Sequence, residues 1–284
     1  MGQLTGKTAV VLGASGQNNI GQQIARRFAQ AGARVLLAGR REMPLKTLAT
    51  ELGGRYALCD VQERDQVMAL PKVAKEWTGR LDIAVNAVGL LHIKPFLEIT
   101  EAELERMVDV QFKGPFRFLQ AMAASIERGG SIIQISSVTS VTTGKDHAHY
   151  CGTKAGIDHV VRCVANEFGP LGIRVNTISP AVTRTPMTEF AFHVPGLVDG
   201  MLAGYPLRRS GAPDDIAAGV MTASRQGRMY RSAQLGSAPP HMRRRKCIDL
   251  INRGTLGHQV YKPCPSTNHL KLRRRSDVHG GWGI

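Results

Sequence analysis

Three observations predict an α/β fold built on a doubly wound parallel sheet. Short apolar runs alternate with helix-patterned segments, a glycine-rich turn joins the first run to the first helix, and the runs are apolar on both faces. Strands buried on both faces are expected where helices cover each side of a parallel sheet. Each element follows in order. Residues 8–12 (TAVVL) form the first strand. Ile20, Ile24 and Phe28 recur at helical spacing behind the turn, and Gly32 closes that helix. Further strands are expected at 34–38, 56–59, 81–86, 131–136 and 174–179, with helices at 42–52, 62–77, 101–127 and 150–168. The whole reads as a Rossmann-type domain, with neither an internal repeat nor a low-complexity linker to interrupt it.

Composition narrows the function classes. The chain has 284 residues, 43% hydrophobic and 21% charged, enough for one α/β domain with a real core. It contains no apolar run approaching the ~18 residues of a membrane span. The strand pattern starts within the first eight residues without a basic-then-apolar leader, so no secretory signal is expected. Cys59, Cys151, Cys163, Cys247 and Cys264 form no CxxC pair, which suits a reducing cytoplasm better than a disulfide framework.

The net charge of +15 is unevenly placed. Residues 1–220 carry 24 Lys/Arg against 20 Asp/Glu, whereas residues 221–284 carry 13 against two. The basic character therefore belongs mostly to the C-terminal stretch and makes no general case for a nucleic-acid partner.

Two segments carry cofactor chemistry. The turn GASGQNNIG, with Gly13, Gly16 and Gly21, lies between a strand and a helix. There the backbone can approach a pyrophosphate at a helix N-terminus. Its spacing is not GxGxxG, so individual phosphate contacts cannot be assigned from it, and a plain tight turn is the competing reading. The second strand ends in Gly39-Arg40-Arg41, where an acid would accept ribose hydroxyls and select NAD. A guanidinium there would pair with a 2′-phosphate, so NADP is favoured, with NAD as the alternative.

The densest chemistry lies between residues 131 and 154. Ser136 and Ser137 end a strand, Tyr150 follows 13 residues after Ser137, and Lys154 lies four beyond that. On a helix, i and i+4 share a face, so tyrosine and lysine project together. A free tyrosine has a pKa near ~10, so forming phenolate at neutral pH needs roughly 4 kcal/mol. The ammonium of Lys154 and an oxidised nicotinamide could supply much of that, while a seryl hydroxyl holds the substrate oxygen.

With these residues in place, the chain over about 4–221 resembles the short-chain dehydrogenase/reductase family. The matching pieces are the glycine turn, Cys59-Asp60-Val61, Asn86-Ala87-Val88-Gly89, Ser137 with Tyr150-Cys151-Gly152-Thr153-Lys154, Ser179-Pro180-Ala181 through Thr185, and Gly211 to Ala217. The resemblance implies an NAD(P)-dependent oxidoreductase acting on a carbonyl or secondary alcohol. It implies a cofactor set of Gly13, Ser15, Gly16, Ile20, Gly21, Arg40, Asp60, Asn86, Tyr150, Lys154, Val182 and Thr185. Asp60 would contact adenine, Asn86 would lie beside the adenosine ribose, and Thr185 would hold the carboxamide. Tyr150 would be the general acid/base, Lys154 would lower its pKa and bind the nicotinamide ribose, and Ser137 would polarise the carbonyl. A homo-oligomer without membrane or nucleic-acid partners is the expected state.

The chain departs from the family pattern in places. The glycine loop is two residues longer than usual, as in the enoyl reductase branch, but the YxxxK spacing argues against that branch. Ala87 and Val88 replace residues of the NNAG-type turn, and Ala181 replaces a glycine. Gln111 stands where the family places an asparagine that holds a water in the proton relay, which puts that relay in doubt. Residues 186–210 form an expected substrate lid with Met187, Phe190, Phe192, Leu197, Met201 and Tyr205; helix packing explains the same residues nearly as well. His147, His149 and His193 have no metal-ligand spacing and read as wall or surface residues, so no metal is expected.

From residue 222 the pattern stops. The final strand and VDGG-like turn are missing or replaced, and arginine triplets stand at 243–245 and 273–275. Residues 1–221 are therefore expected to form the cofactor-binding catalytic domain, and 222–284 an atypical basic tail. The tail is open to three readings: a basic arm for a polyanion, a poorly ordered extension, or a frame-shifted segment. The ending Gly280-Gly281-Trp282-Gly283-Ile284 resembles a family ending. The competing functional reading is a catalytically impaired cofactor-binding protein with a basic interaction tail.

Overall fold

The structure is a computed structural model and describes residues 2–126 and 129–225. The expected basic tail lies outside the described residues from 226 onward, together with any final strand.

Among the described residues, six parallel strands form one sheet in the order β3-β2-β1-β4-β5-β6. They are β1 (Thr8–Leu12), β2 (Arg34–Gly39), β3 (Arg55–Leu58), β4 (Ile83–Asn86), β5 (Ser131–Ile135) and β6 (Arg174–Ile178). The helices are α1 (Ile20–Gln30), α2 (Glu42–Leu52), α3 (Arg64–Thr78), α4 (Glu101–Val108), α5 (Gly114–Ala123), α6 (Ala148–Phe168), α7 (Glu189–Phe192), α8 (Leu197–Ala203) and α9 (Pro213–Ser224).

Alternate strand residues face opposite layers, and both layers are buried. Val11, Leu37, Val85 and Ile133 pack with Ile24 and Phe28 of α1, Leu48 of α2 and Val220 of α9. Val10, Leu36, Ala84 and Ile132 pack with Leu70 of α3, Phe118 of α5 and Ile157 of α6. Phe28 and Phe118 are fully buried, and each such side chain stabilises the fold by about 1.5–3 kcal/mol. α9 is fixed at both ends. Asp214 takes two hydrogen bonds from Arg27 of α1, and Arg174 of β6 donates to the carbonyls of Ala223 and Ser224. This helix continues to Ser224, past the expected boundary at 221.

Two expectations need correction. The single helix expected over 101–127 is broken: α4 stops at Val108, a π-helical turn spans Asp109–Lys113, and α5 restarts at Gly114. The restart is a close approach, since a Cβ at Gly114 would stand 2.6 Å from Val61 Cγ2. The third strand is not apolar on both faces. It runs from Arg55 to Leu58, both exposed, because it is an edge of the sheet. The strand at 8–12 and the helix at 42–52 keep their expected bounds, and the remaining boundaries shift by at most two residues. The 186–210 segment contains the short helices α7 and α8, with Met187, Phe190, Leu197 and Met201 partly exposed.

Candidate active site

The strand order reverses at β1 and β4, and a cleft of about 590 Å³ opens there. Such switch points are where open α/β sheets bind ligands. The cleft is lined by Gly13, Ser15, Gly16 and Asn19 of the first turn, by Gly39, Arg40 and Arg41 after β2, and by residues 59–62 after β3. Ala87, Val88, Gly89 and Leu90 line it after β4, and Arg106, Val110 and Met187 complete the wall.

The first turn fits a dinucleotide phosphate. Gly13 has φ +96°, and a Cβ there would stand 2.7 Å from the Ala87 carbonyl carbon, so only glycine lets this turn pack against the backbone after β4 and keep its own backbone open to the cleft. The extra loop residues build the helix cap. Asn19 Oδ1 accepts from the Gln22 N–H at 2.9 Å, and its Nδ2 donates to the Gly13 carbonyl at 2.7 Å. The Asn18 N–H donates to Gln22 Oε1 at 3.1 Å. Ile20 and Gly21 open α1 behind this turn rather than lining the cleft. The sequence reading missed Asn19, although an asparagine just before a helical pattern is a capping signal.

At the other wall of the cleft, Arg40 Nη1 lies 3.7 Å from Asp60 Oδ2, with the arginine side chain 66% exposed. Asp60 Oδ1 also accepts from the Gln62 N–H at 3.0 Å. Arg41 and Arg106 are exposed at the same cleft. Burial pushes the Cys59 thiol up to about 12, so it stays neutral in the wall.

Asn86 is fully buried and does not line the cleft. Its amide donates to Gln134 Oε1 at 3.0 Å and accepts from the Val88 N–H at 3.0 Å, so it shapes the turn after β4. Val182 and Thr185 also lie off this cleft. The Val182 N–H donates to the Tyr205 hydroxyl at 3.3 Å, and Thr185 Oγ1 lies 3.1 Å from Thr188 Oγ1.

The structure brings Ser137, Tyr150 and Lys154 together. Ser137 starts the 3-10 turn after β5, and its Oγ accepts from the Thr139 N–H at 3.2 Å and from the Thr139 hydroxyl at 2.9 Å. Lys154 Nζ stands 5.8 Å from the centre of the Tyr150 ring and donates to the Ile135 carbonyl at 3.3 Å. Burial raises the Tyr150 pKa above 10, and a hydrogen bond with Ser137 pulls against it. Burial lowers Lys154 to about 8, with Asp158 opposing. His147 meets the Tyr150 ring edge-on at 6.3 Å.

Gln111, in the π-helical turn, is 1% exposed. Its Oε1 accepts from the Leu90 N–H at 3.4 Å, and its Nε2 lies 3.2 Å from Met107 Sδ. His149 is not a surface residue: it is 5% exposed, and its Nε2 lies 2.9 Å from His92 Nδ1. His92 in turn faces Glu103, which Lys94 holds at 2.8 Å. Among the described residues, no group of three or more His, Cys, Asp or Glu side chains could hold a metal ion. Nor is any helix among them long and apolar enough to cross a membrane.

Residues 13–229 match the family model described as enoyl-(acyl carrier protein) reductase. The chain is 35% identical over 230 residues to oxidoreductase UcpA of Salmonella typhimurium, covering 76% of this chain and 86% of that protein. It is 33% identical over 220 residues to D-erythrulose reductase of Gallus gallus, covering 76% of this chain and 87% of that protein. Its fold matches a short-chain type dehydrogenase/reductase from Mycobacterium ulcerans with a TM-score of 0.77 and 27% identity, over 81% of this chain and 87% of that one. The switch-point cleft with its glycine turn, the serine–tyrosine–lysine cluster and these relationships agree: the chain belongs to the short-chain dehydrogenase/reductase family of NAD(P)-dependent oxidoreductases.

Proposed function

We propose that the chain is an NADP-linked oxidoreductase that interconverts a small carbonyl compound and its secondary alcohol, with Tyr150 as general acid/base. The observation that carries this reading is the Tyr150–Lys154 pair, 5.8 Å from ammonium to ring centre, with Ser137 near enough to the tyrosine to lower its pKa. A bound nicotinamide supplies or accepts the hydride. In the reductive direction the Tyr150 hydroxyl gives its proton to the carbonyl oxygen, which the Ser137 hydroxyl holds in place. Lys154 stabilises the phenolate that results and binds the nicotinamide ribose. Burial alone makes the Tyr150 phenol ionise less readily than a free tyrosine, so proton transfer depends on groups that favour the phenolate.

Gly13, Ser15, Gly16 and the cap of α1 would hold the pyrophosphate, and Asp60 and Val61 the adenine. Asn86, Ile20 and Gly21 support this cradle from behind it, and Val182 and Thr185 lie on the nicotinamide side. Arg40 and Arg41, with Gly39 in place of an acid, favour a 2′-phosphate and hence NADP. The YxxxK spacing favours carbonyl over enoyl reduction. A relative named for D-erythrulose, and His147 as a polar neighbour of Tyr150, favour a small hydroxyketone as the substrate class.

The exposed apolar side chains Phe96, Leu97, Leu104 and Phe116 favour association with a second copy of the chain. Free Cys59, Cys151 and Cys163 fit a reducing cytoplasm. The deciding experiment is a fluorescence titration of the purified chain with NADPH and NADH, followed by a panel of small ketones with the cofactor that binds. Tight NADPH binding with ketone turnover is expected. Binding of neither cofactor, or binding without turnover of any ketone, overturns the reading.

A further inference from the structure

Asp158 is a buried charge to which the arrangement above assigns no task. It lies one helical turn beyond Lys154 on α6, and the two side chains are 5% and 4% exposed. A carboxylate taken this far from water is costly unless a cation or hydrogen-bond donors face it. Two serines face it from the end of β5 and the turn that follows. Ser136 Oγ, Ser140 Oγ and Asp158 Oδ1 are all buried, and none makes a hydrogen bond of full geometry. Burial raises the Asp158 pKa, and the two hydroxyls lie near enough to pull against it. They bracket Ser137 on either side of the 3-10 turn.

We propose that Asp158 is the buried counter-ion of the Tyr150–Lys154 pair, a positioning residue one helical turn from Lys154 that keeps it charged. The proposal rests on the catalytic reading of Tyr150 given above.

The charges around the pair are few. On α6 they are Cys151, which acts on Tyr150, with Lys154, Asp158 and Arg162, the last of which also favours an ionised Asp158. Charges on the other elements packed against α6 are engaged elsewhere: Asp109 with Lys113, Glu103 with Lys94, Arg117 with the Gln62 carbonyl and Arg174 with those of Ala223 and Ser224. β5 and its turn contribute only the neutral hydroxyls of Ser136, Ser137 and Ser140. Burial already draws Lys154 down to about 8, and Asp158 is the charge that opposes it. Replacing the carboxylate by a neutral group makes the pair release its proton more readily, whether Tyr150 or Lys154 gives it up. Deprotonation therefore moves to lower pH.

The test is the pH profile of kcat/KM for ketone reduction by the full chain. D-erythrulose, or the best-used ketone of the panel, serves as probe. In Asp158→Asn the alkaline limb is expected to move to lower pH by about one unit or more, the usual effect of one nearby charge. Asp158→Glu keeps the charge and should return the limb close to its wild-type position. A purely structural role would lower the rate and leave the limb where it was, so an unmoved limb in folded Asp158→Asn overturns the proposal. Asp158→Ser, neutral and smaller, replaces it if the amide does not fit. Failure of both neutral variants to fold, while Asp158→Glu folds, also overturns it in favour of a structural charge. Tyr150→Phe is run alongside: wild-type turnover there would mark failure of the catalytic reading itself.

Discussion

His92 and His149 meet ring nitrogen to ring nitrogen, 2.9 Å apart, and tie the segment after β4 to the helix that carries Tyr150. Burial, and to a lesser degree the neighbouring His92, lower the His149 pKa below 6.5. Glu103 is pulled down from 4.5 to about 2 by Lys94 and Thr100 and stays ionised through the mildly acid range.

The dyad predicts an acid-side loss of stability in two stages. Below pH 6.5 the unfolded chain protonates His149 more readily than the folded one, so its contribution is present above that pH and is lost as the pH falls. The Glu103 contribution is lost later, between about 4.5 and 2. Thermal melts from pH 7.5 to 4 should show the first stage in the wild type and not in His149→Gln. Identical acid profiles for the two would remove the dyad as its cause.

Tyr150→Phe should bind cofactor with nearly unchanged affinity and lose turnover by about 10²–10⁴-fold, since only the proton donor is removed. Steady-state rates and a cofactor titration on the same preparation separate the two effects. Turnover at the wild-type level would show that the proton comes from elsewhere.

Arg40→Ala should weaken NADPH far more than NADH. A charged hydrogen bond contributes about 1.5–3 kcal/mol, so the NADPH affinity should fall by roughly ten- to a hundredfold. The arginine is largely exposed and only 3.7 Å from Asp60, leaving its guanidinium available to a second anion. Equal losses for the two cofactors would assign Arg40 to the adenosine common to both.

What the sequence made legible was local. Parallel strands buried on both faces are written as apolar runs, and Tyr150 and Lys154 share a face because four residues make one helical turn. Contacts between distant segments were not legible. His92 and His149 are 57 residues apart, and nothing in either neighbourhood announces the other. The break at Asp109–Lys113 sits beside the close approach of Gly114 to Val61, which no helical periodicity records. Arg106 reaches the cleft through tertiary packing alone, whereas Asp158, four residues beyond Lys154, was legible by the same helical spacing. Asn19 is a second exception, a local cap signal inside a loop whose glycines drew the attention.

The last prediction concerns Gln111. Where the family resemblance calls for an asparagine holding a water, the longer side chain engages the Leu90 N–H at 3.4 Å and lies 3.2 Å from Met107 Sδ. Both contacts draw the amide toward the wall of the site, and the first fixes the segment beside Gly89. Asparagine in its place would withdraw by one methylene, release the weak bond to Leu90 and leave room for a water at a polar position. Gln111→Asn should therefore keep or raise turnover while lowering stability by about 0.5–1.5 kcal/mol, the usual effect of deleting one buried methylene. Turnover and thermal melts check the two halves separately. If turnover instead drops sharply in a variant that melts like the wild type, glutamine is a tuned substitute, and the proton leaves by a route that needs its full length.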